Sequence, residues 1–244
     1  MVTIDCVSDM HGNYPKLAGG DVLIVAGDMT ARDIQKEWNQ FFEWLDRQQY
    51  RKKIFIGGNH DNMLEQLGND VMLYAREIVG LREEMAEYLC DSGTAFEGLK
   101  IWGSPWSSQF PGINPRCCAF TRQFMARTDD IWDLIPNDVD ILITHTPPYG
   151  ILDRVATEFD ASVGDMQLLE VLEKRIKPKL HVFGHIHEQG GKELIYKRPG
   201  YGTENNTRCV NSSIVDERYR HVNPVVRVIL EEKEVSPEEE NGSD

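Results

Sequence analysis

Five short stretches of the chain carry side chains suited to holding metal ions. They are Asp9-Met10-His11, Gly27-Asp28, Gly58-Asn59-His60-Asp61, Thr144-His145 and Gly184-His185-Ile186-His187. The donors are Asp carboxylates, His imidazoles and an Asn carbonyl, with no thiolate. That mix suits manganese first, with iron, zinc, nickel or cobalt as alternatives, and disfavours a structural zinc site. Asp9, His11, Asp28, Asn59, His145, His185 and His187 are too many ligands for one ion that keeps an open position. A shared carboxylate can hold two ions about 3.5–4 Å apart, the separation used in two-metal hydrolysis. Two divalent ions are therefore the expected cofactors.

Each stretch has an ordinary reading beside this one. Asp-x-His occurs in turns and surface pairs, and Gly-Asp after a strand is common turn chemistry. Gly-Asn-His-Asp alone fits a loop with an Asx-turn, and His145 before Thr146-Pro147-Pro148 fits a core histidine. As a strand, Gly-His-Ile-His would set two histidines on a solvent face. What separates the readings is repetition. Each stretch follows an apolar run that reads as a buried strand, and in open α/β sheets ligands bind outside the carboxyl ends of strands. Glycine before Asp28, Asn59 and His185 lets the backbone turn sharply at those ends.

The elements that must position these residues follow from the same runs, at 2–7, 22–26, 53–56, 99–102, 139–144, 179–183 and 225–230. Valine and isoleucine dominate several of them, as in strands buried on both faces. Between them, 31–49 repeats Ile34, Trp38, Phe41, Phe42 and Leu45 at helical spacing. Residues 165–177 do the same with Met166, Leu168, Leu169, Leu172 and Ile176. Alternating strands and helices predict a layered α/β fold. Closely spaced strand signals at 94–102 and 192–230 predict that part of the sheet is antiparallel or mixed. Residues 62–93 read as helical, packed on the surface or forming a cap.

The chain has 244 residues, enough for one large domain, and its net charge is −14. The stretch 231–244 holds seven acidic residues and one lysine, and reads as a disordered acidic tail. The remaining body still carries −8. Such a body repels long polyanions, because nucleic-acid binding rests on lysine and arginine displacing counterions. A small anionic substrate is compatible, because bound metal reverses the local sign. No apolar run is long enough to span a bilayer, and no leader peptide is visible. Five cysteines without a CxxC pair fit a reduced, cytoplasmic chain.

In this order the five motifs resemble the calcineurin-like metallophosphoesterase signature. Val25-Ala26-Gly27-Asp28-Met29-Thr30, Trp102-Gly103-Ser104-Pro105-Trp106 and the run from Pro178 to Glu188 are similar to the metallophosphoesterase-domain-containing proteins first described from fetal brain. The resemblance covers 1–230 and fits poorly across 62–93. It implies a four-layer αββα sandwich, with two mixed β-sheets flanked by helices, and phosphodiesterase activity that includes cyclic nucleotides. By matching motif, Asp9, His11, Asp28 and His187 would hold one metal. Asp28 would bridge to a second metal, completed by Asn59, His145 and His185. A metal-bound hydroxide would attack, His60 would protonate the leaving group, and Asp61 would orient His60.

The expected function is thus a metal-dependent phosphodiesterase for small diesters. The alternatives are a phosphomonoesterase or protein phosphatase, and a non-catalytic metal-binding scaffold on the same fold. Protein phosphatases follow Gly-Asp with Asp-Arg-Gly, whereas Gly27-Asp28 continues as Met29-Thr30-Ala31-Arg32. The motif loops offer few cations for a dianionic monoester, although Arg116, Arg122, Arg127 or Arg154 could fold over the site. His181 reads as a packing residue, and Trp102 and Trp106 read first as core or rim packing and otherwise as a stacking surface for a nucleobase. Asn211-Ser212-Ser213 carries no assigned chemistry, and the number of chains in the assembly is not fixed by the sequence.

Overall fold

The computed structural model describes residues 1–82, 84–109, 116–123, 126–156, 161–197 and 206–231. In chain order the strands and helices are β1 Val2–Val7, β2 Gly20–Ala26, α1 Gln35–Arg47, β3 Tyr50–Ile56, α2 Asn62–Leu67, α3 Val71–Val79 and β4 Ala86–Tyr88. Then come β5 Ser92–Phe96, β6 Leu99–Ser104, β7 Ser107–Gln109, β8 Thr121–Gln123, α4 Asp129–Trp132 and β9 Ile141–Thr144. The remainder are β10 Arg154–Val155, β11 Ala161–Ser162, α5 Met166–Lys174, β12 Leu180–Phe183, β13 Lys192–Tyr196, β14 Thr207–Asn211 and β15 Val226–Leu230.

Two mixed sheets carry the architecture. The first runs β15-β1-β2-β3-β4, parallel from β1 through β4, with β15 antiparallel to β1. The second runs β13-β14-β12-β9-β6-β5, parallel in its centre and closed by antiparallel β13 and β5. Strand alternation sorts side chains between layers. Val22, Ile24 and Ala26 of β2 meet Ile141 and Ile143 of β9 in the core between the sheets, with Leu180 and Val182 of β12. Leu23, Val25 and Phe55 face outward onto α1 and α3. Leu142 faces outward onto α4 and α5. Both faces of both sheets are thus covered, which is why the central strands read as unbroken apolar runs. This is the four-layer αββα sandwich.

In α1, Trp38, Phe41, Phe42 and Leu45 are fully buried, whereas Ile34 precedes the first turn and is 40% exposed. In α5, the Asp165 carboxylate accepts from the Leu168 amide at 2.7 Å and caps the helix, leaving Met166 outside. Residues 62–93 form no cap over the motifs. Leu64, Val71 and Ala75 bury into the layer beneath α1, and the segment ends in β4 rather than as helix. The first and last described strands are tied by charge. Arg227 on β15 donates from Nε and Nη2 to the two Asp5 oxygens of β1, both at 2.7 Å, and Tyr50 of β3 also donates to Asp5. Residue 231 is exposed, and the rest of the expected acidic tail lies outside the described residues.

Phe41 meets Trp38, Phe42, Trp44 and Phe55 ring to ring. Phe41→Ala is expected to lower unfolding stability by about 3–5 kcal/mol, the range for emptying a well-packed aromatic site. Urea titration followed by circular dichroism checks this, and a loss below about 1 kcal/mol contradicts the packing described.

Candidate metal centre

Every motif sits just past the carboxyl end of a parallel strand. Asp9 and His11 follow β1, Asp28 follows β2, and Asn59, His60 and Asp61 follow β3. His145 follows β9, and His185 and His187 follow β12. The two sheets therefore contribute three and two neighbouring strand ends to one place. The ordinary alternative for Gly-His-Ile-His, a strand with two histidines on a solvent face, does not form, because β12 stops at Phe183. Backbone bonds lock the loops together. Asp9 N–H donates to Gly27 O at 3.0 Å, Gly184 N–H to His145 O at 3.1 Å, and Ile214 N–H to Ser8 O at 3.1 Å.

The local backbone is strained where the ligand types sit. Asp9, His11, Asp28 and His185 have φ of 51°, 42°, 55° and 68°. Non-glycine residues in this left-handed region cost on the order of 1 kcal/mol or more each and persist only where the surroundings over-determine them. The neighbouring glycines make room. A Cβ on Gly58 would collide with the Asp28 carboxylate and His145, and one on Gly184 would collide with Ser8 and Asp9.

Hydrogen bonds at the outer side of the rings decide which nitrogens face inward. His145 Nδ1–H donates to Ala26 O at 2.9 Å, and His11 Nδ1–H donates to Thr30 O at 3.3 Å. With Nδ1 committed outward in both rings, both Nε2 atoms face the centre, where each can hold a metal ion or a proton. His145 Nε2 faces Asn59 Oδ1 at 3.0 Å and Asp28 Oδ2 at 3.4 Å. His11 Nε2 faces His187 Nε2 at 3.4 Å and Asp28 Oδ2 at 3.8 Å. His187 Nε2 in turn faces Asp9 Oδ1 at 3.4 Å. Ring nitrogens and carboxylate oxygens are crowded together in a buried place, which is unfavourable unless protons or cations lie among them. Asp9, His11 and His187 converge within 4.8 Å, as do Asp9, Asp28 and His145, so the donor set fits divalent ions. His185 stacks edge-on against His145 with centroids 4.9 Å apart, but is not one of these converging triads.

The electrostatics follow the same crowding. Burial raises the Asp9 carboxyl, but the hydrogen bond and charge of His187 outweigh it and bring it down to about 2. Burial likewise opposes ionisation of Asp28, yet His145, His60 and His11 hold it well below the usual carboxylate range. Burial disfavours a proton on His145, but Asp28 overrides it and pushes the imidazole up to about 9. His11, mainly through burial, falls to about 4, and His185 to about 3.

His60 and Asp61 do not form the expected pair. The Asp61 carboxylate accepts backbone N–H bonds from Asp28 at 2.8 Å, Gly58 at 2.9 Å and Met29 at 3.2 Å. Both its oxygens are thereby used, so it fixes the loop that carries Asp28 instead of orienting His60. The Nδ1 side of His60 faces Cys117 Sγ at 3.6 Å. Burial and the charge of Asp28 push the Cys117 thiol up to about 11, so it remains a proton donor at neutral pH. His60 Nε2 lies 3.9 Å from Asp28 Oδ2.

Sequence reasoning missed three contributors: Cys117 in this role, Tyr219, and the Asn211-Ser212-Ser213 triplet. Tyr219 packs edge-on against His11 and His187, with centroids 4.7 and 5.3 Å apart. Asn211 Nδ2 donates to Ile186 O at 3.0 Å and Leu152 O at 3.2 Å, and the Ser212 amide donates to Phe183 O at 2.7 Å, bracing the loop of His185 and His187. The one available signal was a polar triplet directly after a strand, the same layout as the motifs. His181 is core, bonded to Thr144 Oγ1 at 2.8 Å and stacked on Phe183. Trp106 donates to Asp91 at 2.7 Å and lies under Arg122, away from the centre. Arg127 pairs with Asp129, whereas Arg32 and Arg116 line a cavity of about 400 Å³ on the Cys117 side of His60. A larger depression of about 650 Å³, with Gln49, Arg51, Lys53 and Arg82, lies at the opposite strand ends and contains no motif residue.

A cation and a proton compete for His145 Nε2, and at pH 7 a group held near 9 is protonated. Metal binding should therefore release a proton there, and apparent affinity should rise with pH, by up to about tenfold per unit, until it levels off near pH 9. Calorimetric Mn²⁺ titrations in buffers of different ionisation enthalpy measure the release. No proton released at pH 7 would show that no protonated imidazole gives way to the metal at this position.

Comparison with known proteins places the chain in a family. Residues 2–189 match the family model described as calcineurin-like phosphoesterase. The chain is 37% identical over 247 residues to metallophosphoesterase domain-containing protein 1 of Homo sapiens, covering 92% of this chain and 70% of that protein. It is 33% identical over 229 residues to a UPF0046 protein of Caenorhabditis elegans, covering 88% and 76%. A probable rhamnogalacturonate lyase C of Emericella nidulans shares 35% over 202 residues, but that stretch is only 18% of that protein. A crystal structure at 14% identity superposes with a TM-score of 0.59 over 88% of this chain and 91% of the other, which speaks for the fold alone. With five strand ends delivering carboxylates and imidazoles to one buried point, and a family model spanning all five, the chain belongs to the calcineurin-like phosphoesterases, a family of metal-dependent hydrolases.

Proposed function

We propose that the chain hydrolyses small phosphodiesters, cyclic nucleotides among them, at a centre of two divalent metals. Asp9, His11, Asp28 and His187 would hold one ion, and Asp28, Asn59, His145 and His185 the other, with manganese the first candidate. The observation that carries this reading is the convergence of ligand atoms from His145, Asn59, Asp28, His11 and His187 on one buried point, with the outer ring nitrogens of His145 and His11 turned onto the Ala26 and Thr30 carbonyls. Bound there, divalent ions would supply Lewis acidity toward the phosphoryl oxygens and a nucleophilic water near neutral pH.

The chain's own groups supply the rest. Asp61 holds the backbone amides of Asp28, Met29 and Gly58, which places the Asp28 carboxylate between the two groups of imidazoles. Cys117 contacts the Nδ1 side of His60, and a proton on Nε2 could pass to a leaving alkoxide. Charge favours a diester. The cavity of about 470 Å³ in front of Asp28, Asn59, His60, His185 and His187 has Glu188 and Glu217 in its wall and, among the described residues, no lysine or arginine. A dianionic monoester calls for added cations; Arg32 sits in the adjoining cavity already paired with Glu37. The same acidic surface supports small substrates over long nucleic acids. No described helix is long and apolar enough to cross a membrane.

The test of substrate class is kcat/KM for an aryl phosphodiester and its matching monoester on one Mn-loaded preparation. The diester should be turned over more efficiently; preference for the monoester would replace this reading with a phosphomonoesterase, and no turnover of either would revive the scaffold. A second measurement addresses His60. His60→Asn should leave metal content near wild type and lower kcat by about 10²–10⁴ for alkoxide leaving groups, and by much less for nitrophenolate, which needs no proton. Equal losses for both leaving groups would assign His60 to charge stabilisation.

A further inference from the structure

Tyr219 is held over the centre by a turn that contributes no ligand. Asp216 is the hub of that turn. Its Oδ1 accepts the amides of Arg218 at 3.0 Å and Arg220 at 2.9 Å, and its Oδ2 accepts the Arg220 guanidinium. The Tyr219 amide donates to Asp216 O at 2.9 Å, and the Asp216 amide to Arg220 O at 3.0 Å. Inside this network Tyr219 takes φ of 60°. A bulky side chain in the left-handed region is a genuine outlier, and turns of this kind ordinarily give the position to Gly, Asn or Asp. The strain holds a ring that is still 50% exposed. One edge of that ring rests on His11, His187 and, at 6.3 Å between centroids, His60. The remainder borders the same cavity of about 470 Å³ that the motif residues line.

Opposite the polar wall, that cavity is apolar. Val155 of β10, Val163 after β11, and Ile186 between the two motif histidines face it together with Tyr219. Glu188 and Glu217 close the wall with negative charge. A phosphoryl group reaching Asp28 and the imidazoles would leave its second ester group against this surface. The acidic pair excludes further negative charge there, and an aromatic ring with two valines and an isoleucine suits a flat apolar group.

On the reading that the site cleaves phosphodiesters, we propose that Tyr219 is a specificity-determining residue that packs against the retained ester group and selects flat, uncharged groups such as aryl rings or nucleobases over small alkyl groups. The ring, rather than the hydroxyl, does the selecting.

The experiment keeps the leaving group constant. Methyl 4-nitrophenyl phosphate and phenyl 4-nitrophenyl phosphate both carry one charge and both release nitrophenolate. Mn-loaded wild type should favour the phenyl ester in kcat/KM by about tenfold, the scale of one aromatic contact. Tyr219→Ala should bring the ratio close to one, and Tyr219→Phe should keep it. A second readout needs no turnover: calorimetric Kd values for phenylphosphonate and methylphosphonate should show the same preference and the same response to the two variants. If wild type hydrolyses neither diester yet prefers phenylphosphonate through Tyr219, the diesterase reading falls and this inference stands. A preference that survives Tyr219→Ala overturns the inference, as does its absence in wild type. Equal loss for both esters with a fall in bound Mn by mass spectrometry also overturns it, since the ring would then only shield His11 and His187.

Discussion

Asp28 is the group on which the rest of the molecule depends. Its carboxylate is buried among three imidazoles, and its own amide is held by a second buried carboxylate, Asp61. Neither acid could be placed there alone. A buried carboxylate without partners is driven to its neutral form. Asp28 is kept charged by His145, His60 and His11, while Asp61 is stabilised by three amide donors although burial and Asp28 push its own carboxyl upward. The first carboxylate faces the imidazoles, and the second holds the backbone that places it.

The sandwich makes that arrangement reachable. Parallel strands point their carboxyl ends the same way, so β1, β2 and β3 deliver three motifs side by side, and β9 with β12 delivers two more across the apolar interlayer. The two halves are joined at the site itself. The His185 amide donates to both Asp9 oxygens at 3.0 and 3.1 Å, and Ser8 meets Ser213 in a parallel bridge. Strained residues at Asp9, Asp28 and His185 mark where each loop is pulled from relaxed geometry toward the common centre.

Much of this was legible in the sequence. Strands buried on both faces write themselves as Val/Ile runs, and metal-ligand types at their ends are local patterns, so the positions of Asp9 through His187 and the layered fold could be read directly. What was not legible depends on partners far apart in the chain. Asp61 looked like a companion of its neighbour His60, yet its donors come mainly from the loop after β2. The partner of His60 is Cys117, 57 positions away. Tyr219 lies in Asp216-Glu217-Arg218-Tyr219-Arg220, which reads as a charged surface turn, and only the fold turns its ring inward. Helical periodicity misjudged Ile34 and Met166 because spacing does not say where a helix begins. The short pairs β7–β8 and β10–β11 had no period long enough to detect.

The bond between Arg227 and Asp5 spans 222 positions and joins β15 to the strand that carries Asp9 and His11. As the chain emerges from the ribosome, β1, β2 and β3 can pair early, but β1 keeps an open edge until β15 follows. An edge strand with unpaired amides and a buried aspartate awaiting its arginine is exposed to wrong pairing in the interval. The order of synthesis therefore sets the order of risk: Asp9 and His11 are made first yet are among the last to be locked into place, and the half-finished chain is the species most in need of protection from its neighbours.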